Sequence, residues 1–278
     1  MLSTLKLLTV TILLSSLLNA ESTQEKIADF LEESFSDNPN IVSLTVNITD
    51  IVEVKSMKGW SAYIVKVDAM VKAKPTNRNV KQKMIYFSNG EVITPELTDI
   101  NSGESLKALV SPSFKPEFYT KSNLIYGNEN ATHKVAIFSD PLCPYCRTFV
   151  PEAINYMKKY PNKFAIYYYH FPLPSIHPAA VELTQAAAAA ELKGMKNVVL
   201  KLYTVQVNAR EKDVKKIVAA FNKVLGTKLT PADLKSSAVT RHLAHDAFVA
   251  DEVMVGGTPT MFFDGKIDKT KKKYKTAK

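Results

Sequence analysis

The N-terminal part of the chain contains two kinds of hydrophobic pattern. Residues 21–36 place apolar side chains on one side of a helix: Ile27, Phe30, Leu31 and Phe35. Three later runs alternate apolar and polar residues in the manner of half-buried strands: Val42 to Val54, Trp60 to Lys72 and Val80 to Phe87. These patterns predict an N-terminal α+β domain that consists of one helix and an antiparallel sheet.

The C-terminal part of the chain predicts a different organisation. Apolar runs at 134–138 and 164–171 are typical of buried strands, and Pro144 suits the first turn of a helix that continues to Lys159. Between the second strand and the apolar run at 261–263, four segments have helical character; they begin at His177, Met195, Asp213 and Thr230. We predict an α/β domain with a helical insertion at about 178–250.

Pro and Ser residues between 111 and 116 indicate the boundary between the two domains. We expect an N-terminal domain over 21–112, a linker helix within 113–131 and a second domain over 132–278. The length of the chain is sufficient for two domains, each with its own core.

The first twenty residues have the pattern of a secretory signal peptide. Lys6 precedes an apolar run at 7–18, and Asn19-Ala20 ends the segment in a small residue. An uncleaved anchor is the alternative, but the run is shorter than the roughly 20 apolar residues that span a bilayer. We therefore predict export to the periplasm and exclude residues 1–20 from the fold.

The formal net charge of +9 adds little to this interpretation. Much of the excess lies in the C-terminal tail, at Lys266, Lys269, Lys271, Lys272, Lys273, Lys275 and Lys278. A solvated basic end explains that excess. The chain contains no recognisable nucleic-acid-binding module, so we expect no nucleic-acid partner.

The chain has only two cysteines, and their spacing suggests redox chemistry. Cys143 and Cys146 form a Cys-x-x-Cys pair in a chain that is predicted to be exported. A structural disulfide between them would close a very small loop and stabilise the fold little. Zinc would need two more ligands, which His242 and His245 could supply only if the fold brought them close. Arg147 stands where a c-type haem site needs histidine. We expect no metal or other cofactor.

The position of the pair in the predicted fold favours catalysis. Ser139-Asp140-Pro141 predicts a turn after the first buried strand, so Cys143 lies at the N-terminus of the following helix. Backbone N–H groups there stabilise a thiolate and lower its pKa. Cys146 lies one turn farther on and is expected to be the buried resolving thiol.

A second motif, Gly256-Gly257-Thr258-Pro259-Thr260, precedes the strand at 261–263 and the turn Asp264-Gly265. Taken alone, Thr258-Pro259 fits an ordinary trans turn as well as a cis bond. Together with the stretch from Phe138 to Cys146, it resembles the active site and cis-proline loop of the periplasmic Dsb thiol:disulfide interchange family, DsbC/DsbG type. The resemblance implies a thioredoxin-like fold for the second domain.

That resemblance also implies the roles of individual residues. Pro259 would be cis and pack against the cysteine pair, and the backbone at Thr258 would pair with a bound polypeptide as an added strand. Pro144 and Tyr145 are assigned to substrate binding, although Tyr145 fits a packing role equally well. His170 and His177 are expected near the active site by sequence order, and we favour a structural role for both.

The function implied is isomerisation or reduction of disulfides in exported, cysteine-containing polypeptides. A membrane redox partner would reset the active site, and the N-terminal domain would form a homodimer. Two alternatives remain. One is a dimeric oxidase that donates disulfides to reduced clients, and the other is a periplasmic chaperone or binding protein for unfolded chains.

Overall fold

A computed structural model describes residues 22–277 of the chain. The chain divides into two compact units, of which unit 1 ends at Pro95 and unit 2 begins at Glu96. The predicted signal peptide lies outside the described residues. None of the helices formed by residues 22–277 has the length and apolar character that crossing a membrane requires.

Unit 1 is the predicted combination of a helix and an antiparallel sheet. Helix α1 (Thr23–Ser36) precedes four strands in the order β1-β2-β3-β4: β1 (Ile41–Glu53), β2 (Ser61–Val71), β3 (Arg78–Ser88) and β4 (Ile93–Thr94). Ser22 and Glu25 form a capping box at the start of α1, which satisfies exposed backbone donors of the first turn. Ile27 and Leu31 of α1 are buried against the sheet.

Unit 2 is built on a five-stranded mixed sheet in the order β5-β7-β6-β8-β9. Its strands are β5 (Leu124–Tyr126), β6 (His133–Ser139), β7 (Phe164–His170), β8 (Thr260–Phe263) and β9 (Lys266–Ile267). Its helices are α2 (Lys107–Val110), α3 (Pro144–Met157), α4 (Ala179–Leu192), α5 (Val198–Leu202), α6 (Val214–Leu225), α7 (Pro231–Leu234), α8 (Ser237–Glu252) and α9 (Lys273–Thr276). The mixed α/β class predicted from the sequence is confirmed.

The central strand β6 places three loops at one end of the sheet. It pairs in parallel with β7, where Ser139 lies opposite His170, and antiparallel with β8, where Phe138 lies opposite Thr260. The segments that follow β6 and β7 and the segment that precedes β8 therefore meet. This is where the two predicted motifs come together.

Helices α4 to α8 occupy the predicted insertion between β7 and β8. Alanines 186–190 of α4 are buried and pack with α6 through Phe221. The helical segment predicted to begin at Met195 starts later in the structure, because Asn197 has a left-handed φ of 60°, and α5 covers only Val198–Leu202.

The predicted linker helix within 113–131 is not formed, and the predicted boundary at residue 112 lies too late in the chain. Only Pro116–Phe118 forms a short 3₁₀ helix, and residues 124–126 are strand β5. Phe114 and Phe118 are buried in the core of unit 2, with ring centroids 5.5 Å apart. Since these two rings are part of that core, residues 113–131 belong to unit 2. The Pro and Ser residues between 111 and 116 indicate a linker when the sequence is considered alone.

Gly127 follows β5 at a position that a side chain cannot occupy. Its φ is +85°, and a Cβ would lie 2.0 Å from the Phe164 carbonyl oxygen. Gly194 has a similar φ of +82° with nothing within 4 Å of its Cβ position. We expect Gly194→Ala to lower the free energy of unfolding by about 1 kcal/mol, the strain of the left-handed backbone. Gly127→Ala should lower it by about 3 kcal/mol or more, because β5 must also move away from β7.

Urea unfolding of the two variants measures the difference. Equal losses would show that β5 shifts away from β7 without measurable loss of stability.

Candidate active site

Asp140 organises the turn between β6 and α3. Its carboxyl group is completely buried and makes four hydrogen bonds. Oδ1 accepts from the backbone N–H groups of Leu142, at 2.6 Å, and Cys143, at 3.0 Å. Oδ2 accepts from the N–H of Leu173, at 2.8 Å, and lies 3.1 Å from His177 Nδ1. One side chain therefore connects the cysteine turn to the segment after β7.

The two cysteines have different environments, as predicted. Cys143 is the N-terminal cap residue of α3 and is partly exposed, whereas Cys146 lies in the first turn of the helix and is completely buried. Both are free thiols in the structure. Only Cys143 is placed to meet another molecule.

The segment before β8 lies against the Cys143 sulfur. The Thr258–Pro259 peptide bond is cis, as the resemblance implied. Cys143 Sγ lies 3.8 Å from the Thr258 carbonyl oxygen, and Pro259 is buried. The Thr258 hydroxyl oxygen is buried and has no hydrogen-bond partner. The two sequence motifs, which are more than a hundred residues apart, thus form one site.

Pro144 and Tyr145 lie on the surface beside Cys143. Tyr145 is 57% exposed, its ring centroid lies 6.0 Å from that of Phe149, and Lys271 Nζ lies 5.9 Å from the Tyr145 ring centroid. This exposure favours contact with a bound molecule over packing in the core.

A chain of buried hydroxyl groups lies beneath the cysteine pair. Tyr203 donates a hydrogen bond of 2.7 Å to the Ser139 hydroxyl, and the Tyr168 and Tyr203 hydroxyls lie 2.9 Å apart. Burial raises the pKa of both tyrosines, so both stay protonated. The Ser139 hydroxyl in turn acts on the Cys146 thiol, whose pKa it lowers. The sequence analysis missed it because Tyr203 comes from α5 and its flank, far from the motif.

Burial raises the pKa of the Cys146 thiol to about 11, and the Ser139 hydroxyl offsets this only in part. In the folded, reduced protein at about pH 8, iodoacetamide should therefore label Cys143 and leave Cys146 unmodified. The ordinary pKa of a cysteine thiol is 9.0. As the pH rises from 9 towards 11, the Cys146 thiol loses its proton in the unfolded chain before it does so in the folded protein. The stability of the reduced protein should therefore fall over this range.

Peptide mapping by mass spectrometry tests the labelling prediction, with denatured protein as the control in which both thiols react. Equal labelling of both cysteines in the native protein would contradict the buried position of Cys146.

His170 and His242, which the sequence analysis also considered, lie close to carboxyl groups. His170 Nε2 lies 3.1 Å from Glu191 Oε2, and His242 Nε2 lies 3.8 Å from Asp246 Oδ2. Within residues 22–277, the group of three or more His, Cys, Asp or Glu residues close enough to share an ion is His170, Glu191 and His242. The alternative zinc site at the cysteine pair is therefore not formed.

Comparison with known families and curated proteins gives two matches. Residues 119–278 match the family model described as Thioredoxin. A 144-residue stretch is 28% identical to the Na(+)/H(+) antiporter NhaA 1 of Mycolicibacterium gilvum, over 51% of this chain and 23% of the antiporter. The chain thus spans less than a quarter of that relative's length.

The solved structures to which the chain is similar include those of three bacterial proteins. The thioredoxin-like oxidoreductase from Silicibacter pomeroyi DSS-3 is 23% identical, with a TM-score of 0.43 over 54% of this chain and 84% of that one. Oxidised BdbD from Bacillus subtilis is 17% identical, with a TM-score of 0.45 over 59% and 90%. The thiol-disulfide exchange protein alpha-DsbA2 from Wolbachia pipientis is 15% identical, with a TM-score of 0.47 over 59% and 92%.

Proposed function

We propose that this chain, which belongs to the thioredoxin family, is an exported thiol:disulfide oxidoreductase. One observation carries the proposal: a partly exposed Cys143 caps α3, a buried Cys146 lies one turn below it, and the cis Thr258–Pro259 bond faces the exposed sulfur. This arrangement separates an attacking thiol from a resolving thiol.

In the proposed mechanism, the Cys143 thiolate attacks one sulfur of a substrate disulfide. A new bond forms between Cys143 and that sulfur, while the second substrate sulfur leaves with the electron pair and takes up a proton. A different substrate thiolate can then attack the same substrate sulfur and release Cys143, which completes an isomerisation. Alternatively, the Cys146 thiolate attacks Cys143, which releases the reduced substrate and leaves the pair oxidised.

The proposed direction is isomerisation or reduction, as in proteins of the DsbC/DsbG type. Two features support it over oxidation: a threonine precedes the cis-proline, and a separate α+β unit precedes the thioredoxin-family region. A membrane redox partner would return the pair to the reduced state after each reduction. The predicted signal peptide at residues 1–20 would place the protein in the periplasm.

The proposed substrates are extended polypeptides with exposed cysteines. Pro144 and Tyr145 are exposed next to the partly exposed Cys143, and the carbonyl oxygen of Thr258 lies 3.8 Å from the Cys143 sulfur. A substrate strand could hydrogen-bond to the backbone at Thr258 while its disulfide meets Cys143. The exposed side chain of Tyr145 would also contact the polypeptide.

A homodimer through unit 1 is also proposed. Strand β1 is at the edge of its sheet, and within residues 22–277 no strand pairs with its outer side. Such an edge presents backbone donors and acceptors to a second chain. Two copies would give two active sites for one client.

Two measurements test the proposed function together. Acid trapping and thiol alkylation give the redox state of Cys143 and Cys146 in the native compartment, and refolding assays use a reduced and a scrambled multi-disulfide substrate. We expect reduced thiols and rescue of the scrambled substrate. Oxidised thiols with rapid oxidation of the reduced substrate would instead establish the oxidase.

No activity on either substrate would overturn the enzymatic assignment. Suppression of client aggregation that persists in Cys143→Ser would then indicate a chaperone or binding protein.

A further inference from the structure

We infer that unit 2 contains a site for one zinc ion, formed by His170, Glu191 and His242, apart from the cysteine pair. The ligand atoms of these three residues all lie within 4.8 Å of one another. His170 ends β7, Glu191 is in the last turn of α4, and His242 is in α8. The sequence analysis expected no metal, because it weighed zinc only at the cysteine pair, where two more ligands would be needed.

The separations suit a tetrahedral ion. Ligand atoms that lie 2.0–2.2 Å from Zn²⁺ are about 3.4 Å from one another. His170 Nε2 and Glu191 Oε2 are already 3.1 Å apart. The other separations are at most 4.8 Å, so they need to shorten by up to about 1.4 Å for a tetrahedral ion. Two imidazoles, one carboxylate and a water molecule are a common zinc ligand set.

An unsatisfied polar atom in this cluster points to a missing ligand. Glu191 Oε1 is buried and has no hydrogen-bond partner, although Oε2 of the same carboxyl group contacts His170. Leaving buried polar atoms unpaired is unfavourable, so a native structure usually supplies a partner, water or an ion.

A further carboxyl group provides support outside the proposed ligands. Asp246 is completely buried; its Oδ1 accepts from Asn123 Nδ2 at 2.7 Å, and its Oδ2 accepts from the backbone N–H of His170 at 2.9 Å. Oδ2 also lies 3.8 Å from His242 Nε2. Asp246 thus fixes the backbone of His170 and places a carboxyl group beside His242, at a distance longer than a hydrogen bond. The two carboxylates, Glu191 and Asp246, would together balance the charge of one divalent cation.

The cluster is accessible from solvent. Glu191 and His242 line a surface cavity of about 160 Å³, which is bounded on other sides by Tyr126 and Asn197. This cavity gives an ion a path to the site and leaves room for a water molecule as fourth ligand.

Zinc binding to the untagged, oxidised protein tests the inference, because its cysteines are then in a disulfide and cannot bind metal. Competition with a chromophoric chelator gives the affinity, and elemental analysis gives the stoichiometry. We expect one zinc per chain. Glu191→Gln and His242→Asn should each weaken binding at least tenfold, and His245→Asn, one turn away on α8, should leave it unchanged.

X-ray absorption at the zinc edge gives a readout that does not depend on variants. Scattering from two imidazole rings, each with a nitrogen 2.0–2.1 Å from the zinc, would support the site. The inference would be overturned by the absence of bound zinc or by sulfur scattering at the zinc edge. It would also be overturned if zinc binding were unchanged in both cluster variants, or if His245→Asn weakened zinc binding as much as they do. None of these outcomes depends on the activity of the cysteine pair.

Discussion

Replacing Cys143 with serine should reduce disulfide exchange to the rate of the uncatalysed reaction. A serine hydroxyl is not ionised at neutral pH and cannot form the mixed disulfide on which both proposed routes depend. The buried Cys146 cannot substitute, because it is completely shielded from solvent and its pKa is raised to about 11. Refolding of a scrambled multi-disulfide substrate and reduction of a small disulfide both measure the loss.

Cys146→Ser is the matched control, since it removes a thiol from the same motif without removing the attacking sulfur. Cys143 should still attack the substrate disulfide, so mixed disulfides between Cys143 and substrates should accumulate and be visible on non-reducing gels. Such adducts in Cys143→Ser instead would show that the two thiols have the opposite roles.

Removal of the Asp140 carboxyl group should cause the largest loss of stability among single substitutions near the site. In Asp140→Ala, the backbone N–H groups of Leu142 and Leu173 and one histidine ring nitrogen lose their buried partner. The Cys143 N–H loses the carboxyl group but keeps a hydrogen bond of 3.3 Å to the backbone carbonyl oxygen of residue 140. An unsatisfied buried donor costs about 1–3 kcal/mol, and neighbouring losses do not add fully. We expect the free energy of unfolding to fall by about 3–4 kcal/mol, measured by urea denaturation of the reduced protein.

Asp213→Ala provides the comparison. Asp213 also accepts hydrogen bonds from two backbone N–H groups, of Lys215 and Lys216, but it caps α6 on the surface. Water replaces those contacts, so this loss should be about 1 kcal/mol. Equal effects in the two variants would mean that burial of Asp140 contributes nothing to its role.

Elements with strong local patterns were predicted well from the sequence. Helix α1 was predicted from the spacing of Ile27 and Leu31, and strands β1 to β3 from their alternation. The residues 111–116 misled the prediction, because Pro and Ser suggested a linker while Phe114 belongs to the core of unit 2. A stretch rich in Pro and Ser indicates a domain boundary only when the apolar residues near it are exposed.

The active site was predictable in part. The cysteine pair was evident from its spacing, and the cis-proline loop from a resemblance across both motifs. Asp140 was assigned only to a turn, because two of its partners, Leu173 and His177, come from the segment after β7. Only the pairing of β6 with β7 brings that segment close. The contact between Tyr203 and Ser139 likewise depends on tertiary structure.

The short outer strands of the unit 2 sheet have a consequence for a protein with the proposed function. Its edges are β5, with three residues, and β9, with two, of which one is Lys266. An enzyme that binds unfolded polypeptides can pair the edge of its own sheet with their extended segments, and a long flat edge favours such pairing. Such short edges offer few backbone groups for that pairing, so the catalytic sheet should resist co-aggregation with the chains it repairs.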